Sequence, residues 1–140
     1  MNWLALAILT AVFYGLYNIF IKVSSGHIHE IVGAVILQLV AAVLGIGILA
    51  FLKIKGIPLE ISKQGIGFAV LSGLFVGLAE ITSFYVFSKG VPAAVGIPVI
   101  VGGSVVIGAL AGFFFLKESL HLSHLIGIAL IVGGVILLAR

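Results

Sequence analysis

Five apolar stretches, each of about 20 residues, fill most of the chain, and polar residues gather in the short gaps between them. A helix rising 1.5 Å per residue needs about 20 residues to cross roughly 30 Å of hydrocarbon. The pattern therefore predicts membrane-spanning helices over residues 3–23, 30–52, 65–88, 92–116 and 121–139. Each gap carries a local reason to stop. The first four spans end in turn at Ser24-Ser25-Gly26-His27, Lys53-Ile54-Lys55-Gly56-Ile57-Pro58, Lys89-Gly90-Val91-Pro92 and Lys117-Glu118-Ser119. Glycine and proline supply the turns, and charges mark the water boundary. Gaps this short make successive helices antiparallel neighbours. The expected fold class is all-α, an integral membrane bundle of five transmembrane helices forming one domain over residues 1–140.

Composition supports a membrane solvent. The 140 residues are 63% hydrophobic and 8% charged, with a mean hydropathy of +1.45, whereas soluble domains are about a quarter charged. With no cysteine, disulfides and thiolate metal sites are excluded. The net charge of +3 comes from basic residues scattered at loop ends. These act as interface anchors and do not form a nucleic-acid patch. No basic residue precedes the first apolar run, which is too long for a cleavable signal and is expected to be retained.

Five is odd, so the termini are expected on opposite faces. If the N-terminal face is side A, it holds Lys53, Lys55, Lys63 and Lys117, against Lys22, Lys89 and Arg140 on side B. Four against three does not fix an orientation by the positive-inside rule, so a single orientation and dual insertion both stay open. An odd helix count with balanced charge reads as half of an inverted-repeat machine, completed by a second module. Small-residue stripes offer packing faces: Gly73 with Gly77 in the third span, and Ser104, Gly108 and Gly112 in the fourth. The longer stripe is the candidate subunit contact.

One carboxylate lies well inside a span. Glu80 is about fifteen residues from the side A end of its helix, a few ångströms past the midplane. An ionised group there costs at least about 2.5–3.5 kcal/mol on insertion scales, which marks it as a functional candidate. Asn18, Gln38 and Pro98 fall at the same depth on three other helices. Thr10, Tyr14, Tyr17 and Asn18 share one face of the first helix. Ala34, Gln38, Ala41 and Gly45 share one on the second, and Gly73, Gly77, Glu80 and Phe84 one on the third. Tyr14, Tyr17, Phe84 and Tyr85 could offer ring faces to a cation beside the carboxylate. The plainer reading makes Asn18, Gln38 and Glu80 interhelical hydrogen-bond glue. Pro98 with Gly96 is expected to break or bend the fourth helix and free backbone carbonyls.

His27-x-His29-Glu30 and Glu118, His121 and His124 resemble metal-ligand spacings, but both sit at helix starts, where such residues cap backbone groups. No metal and no cofactor is expected. The chain has no phosphate-binding glycine loop and no nucleophile–base pair, so enzymatic chemistry has no support.

Pro98, then Phe114-Phe115-Leu116-Lys117-Glu118-Ser119-Leu120, His124-x-x-Gly127 and Gly133-Gly134-Val135 follow one another at the C-terminal end. Tyr14-Gly15-Leu16-Tyr17-Asn18 and Lys22 mark the first helix. In these motifs and in its five-span layout the chain resembles an EamA-type module of the drug/metabolite transporter superfamily. The family pattern often has glutamine where His124 stands. Most relatives fuse two modules into ten helices of inverted topology. The resemblance therefore implies an unfused half, an alternating-access carrier, and a solute site between modules. The partner would be a second copy in an antiparallel homodimer or a different module in a heterodimer. The related four-helix small multidrug resistance proteins carry a glutamate in the first helix, which this chain lacks.

The function expected is a secondary transporter subunit in the cell membrane. It would move a small organic solute, cationic or zwitterionic, with Glu80 binding solute or exchanging it for a proton. A lipid-linked sugar flippase subunit and a non-transporting membrane scaffold are the alternatives.

Overall fold

The computed structural model describes residues 2–140 and contains five α-helices and, among these residues, no strand. They are α1 (Trp3–Ser24), α2 (Glu30–Ile54), α3 (Lys63–Ser88), α4 (Ala93–Phe114) and α5 (Leu122–Leu138). The first four are long and apolar enough to cross a membrane. Helix α5 has 17 residues, about 25 Å of helix, at the short end of the spanning range.

The helix ends are set by local chemistry. Asn2 Oδ1 accepts from the Leu4 amide at the start of α1. His29 Nδ1 accepts from the Ile31 amide at the start of α2. Ser62 Oγ accepts from the Gly65 amide, which begins α3 at Lys63, two residues before the apolar run. Gly56 and Gly90 take positive φ values of 69° and 85° just past α2 and α3, where a side chain would be strained. Helix α4 stops at Phe114, two residues short of the end expected from hydropathy. Lys117 enters the left-handed region at φ 55°, and the Glu118 amide turns back onto the Gly112 carbonyl. At α5 the His121 amide donates to His124 Nδ1, so this histidine caps a helix as the spacing suggested.

The chain divides into two compact units, Phe20–Gly90 and the remainder, which joins the N-terminal part of α1 to Val91–Arg140. In Phe20–Gly90 the core is the packing of α2 on α3 with the end of α1, and it buries Ile21, Ser25, Ala34, Ser83, Phe84 and Phe87. In the other unit α4 packs on α5 with Gly102 against Val135 and Ile131. Most large apolar side chains, from Trp3 to Leu138, stay exposed, as lipid-facing surfaces do.

Candidate functional site

Glu80 lies in the second half of α3 and is 4% exposed, and its carboxyl is engaged within the chain. Gly77, one turn earlier, has no side chain, and the Gln38 amide of α2 fills the space beside it. A Cβ on Gly77 would lie 3.5 Å from both Gln38 Nε2 and Oε1. No hydrogen bond joins the Gln38 amide to another described residue. Gln38 is half-buried, so its donors and acceptor remain available next to the carboxylate turn.

Phe84, one turn beyond Glu80, is 2% exposed and its ring packs against Gly33. A Cβ there would come within 2.5 Å of ring atom Cε1 and 2.7 Å of Cζ. The ring therefore serves as packing between α2 and α3. Lys22, near the end of α1, reaches the same end of α3. Its Nζ donates to the Phe87 carbonyl at 3.4 Å and stands 5.9 Å from the Phe87 ring centroid, within cation–π range. Sequence reasoning missed both contacts. The small pair Gly33-Ala34, one turn before Gln38, was the available signal for the first.

On α1, Asn18 is 3% exposed, and its Nδ2 donates to the Tyr14 carbonyl one turn back at 2.7 Å. That bond lies within one helix, not across two. The Tyr14 and Tyr17 rings meet edge to face at 5.7 Å, and Tyr14 keeps more than half of its surface exposed.

Helix α4 is not broken at Pro98; it continues to Phe114. Without an amide hydrogen, Pro98 still leaves the Ala94 carbonyl short of its intrahelical donor. Gly96 is buried. The stripe on α4 is divided. Ser104 is exposed with its Oγ turned back to the Val101 carbonyl at 2.7 Å, and Gly108 faces open space. Gly112 is covered by the Glu118 carboxylate, whose Oε2 would lie 2.7 Å from a Cβ there. An open apolar groove of about 370 Å³ runs between α4 and α5, with Pro98, Val101, Leu130 and Ile131 in its walls.

A family model, the EamA-like transporter family, matches residues 1–140, the whole chain. The chain belongs to the EamA-like transporter family. It is an integral membrane protein of transporter type, which fits its long apolar helices. It is 32% identical over 134 residues to the uncharacterized protein MJ1333.1 of Methanocaldococcus jannaschii, covering 96% of this chain and 93% of that protein. No solved structure matches. Within this EamA-like chain the motif Phe115-Leu116-Lys117-Glu118 is the turn that ends α4, with its carboxylate folded onto Gly112.

Proposed function

We propose that this EamA-like chain is the subunit of a secondary transporter that moves a small organic solute, cationic or zwitterionic, by alternating access. The observation that carries the reading is Glu80: a carboxylate set inside a membrane-spanning helix and 4% exposed, beside the uncommitted Gln38 amide at Gly77. In the proposal Glu80 holds the solute's positive group or exchanges it for a proton, and Gln38 orients the solute. The functional unit is a dimer, an antiparallel pair of copies or a pair with a second module, and the exposed Ser104–Gly108 face of α4 is the contact assigned to it.

A scaffold would use its intramembrane amides as glue between helices. Among the described residues Gln38 makes no such bond, and that of Asn18 stays on its own helix. The groove between α4 and α5 favours one second reading, a flippase for an amphiphile, because its apolar walls suit an alkyl chain.

Glu80→Gln removes the charge and keeps the shape. In reconstituted vesicles this variant is expected to lose cation- or proton-coupled flux of organic cations while keeping its fold. Unchanged flux would overturn the role of Glu80. Transfer of a fluorescent lipid-linked sugar across the vesicle bilayer, with no flux of soluble cations, would select the flippase reading.

A further inference from the structure

We propose that the loop joining α2 to α3, residues 55–62, docks on an anionic lipid surface. Its aliphatic side chains enter the acyl boundary, and the lysines beside them hold lipid phosphates.

The loop forms neither helix nor strand, yet it does not have the composition of a water-facing turn. Ile57, Leu59 and Ile61 are 47%, 39% and 77% exposed, and Ile54 at the end of α2 is 84% exposed. On a spanning helix such exposure is contact with lipid. Here the side chains lie past the ends of two spans, at headgroup depth, and in water they would forgo their burial energy. Gly56, at φ 69°, and the bond from the Ile57 amide to the Leu52 carbonyl at 3.1 Å turn the chain off the axis of α2. Ile57 precedes a proline and is restricted to extended backbone, and Ser62 is extended at φ -120° and ψ 147°. Extended backbone sends alternate residues to opposite sides. Ile57, Leu59 and Ile61 then fall on one side of the loop, and Pro58, Glu60 and Ser62 on the other.

Charge selects the surface. Lys53, Lys55 and Lys63 flank or belong to the loop and are exposed, against the single carboxylate of Glu60. Among the described residues no ion pair takes up any of these lysines. Lys55 Nζ stands 5.6 Å from the centroid of the exposed Phe51 ring, so this ammonium lies beside an apolar surface at the water boundary. Lys63 opens α3, whose first turn has no acidic residue, so the positive end of that helix adds to the same field. An apolar edge between uncompensated lysines matches a leaflet of anionic lipid, which takes the aliphatic groups below its phosphates.

The chain has no cysteine, so single spin labels can be placed without removing native thiols. Leu59→Cys, Glu60→Cys and Ile61→Cys are labelled in turn, in nanodiscs of phosphatidylcholine with or without phosphatidylglycerol. With phosphatidylglycerol, the labels at 59 and 61 should relax with dissolved oxygen and the label at 60 with a water-soluble nickel chelate. In phosphatidylcholine alone the label at 61 should gain a lifted, nickel-accessible population. Replacing Lys53, Lys55 and Lys63 by glutamine should lower the ratio of seated to lifted loop roughly fivefold for each lysine. Added salt should lift the loop of the lysine-bearing chain from phosphatidylglycerol. Docking is overturned if the labels at 59 and 61 reach the nickel chelate as readily as the label at 60. Seating that is equal in both lipids and indifferent to salt would overturn the anionic partner, leaving apolar contact alone. Should the glutamine variants fail to insert, the lipid comparison and the salt series decide. These readouts need no transport, so the docking can fail while Glu80-dependent flux stands, and the reverse.

Discussion

A methyl group added at each of three glycines meets a different kind of neighbour. At Gly33 it strikes the buried Phe84 ring, which has no free space to enter. At Gly102 it overlaps Val135 Cγ2, a β-branched side chain on α5 with essentially one helical rotamer. At Gly112 it meets only the far end of Glu118, an exposed side chain that can swing away. Overpacking a rigid contact costs about 1–3 kcal/mol. Gly33→Ala and Gly102→Ala should therefore lower the thermal unfolding midpoint in detergent clearly. Gly112→Ala should cost under about 0.5 kcal/mol, as substitutions next to yielding surface groups do. Adding Val135→Ala should recover most of the Gly102→Ala loss, which a nonspecific effect of the mutation would not do. A ranking that put Gly112→Ala among the damaging changes would show that the Glu118 carboxylate is held in place.

At the scale of elements, Pro98 sets one helix apart. Helix α4 runs through it, so its effect is a missing backbone bond at Ala94 and not a break. Proline inside a helix costs about 3 kcal/mol in water, and part of that returns when an amide is restored. Pro98→Ala is expected to raise the thermal midpoint. If the free carbonyl serves the solute path, the same variant should also lower flux; a stabler variant with full flux would make Pro98 a packing residue only. The helices themselves were legible because twenty-residue apolar runs between Gly, Pro and charges have few other uses. Their ends were less so. Ser62 moves the start of α3 to Lys63 through a hydroxyl bond, and the fold-back of Glu118 onto Gly112 shortens α4, and neither leaves a mark in hydropathy. The depth of Glu80 could be read by counting residues. The Phe84–Gly33 and Lys22–Phe87 contacts could not, because spacing puts residues level without showing which faces meet.

For the whole molecule the deciding quantity is orientation. Four basic residues on the N-terminal side against three on the other leave the positive-inside rule almost without leverage. If the partner is a second, inverted copy, reporters fused to both termini should show both orientations in similar amounts. The balance should also tip with few charges. Gly26→Lys and His27→Arg together with Lys55→Gln and Lys63→Gln turn four against three into two against five, and Ile57→Lys with Glu60→Arg turns it into six against three. Each variant should insert one way only and should lose flux when expressed alone, since no inverted copy remains to complete the path. Co-expression of the two should restore flux, because each then supplies the orientation the other lacks. A native chain with one fixed orientation, or recharged variants that keep full flux alone, would exclude the antiparallel homodimer. The second module would then have to be a different chain or a parallel copy.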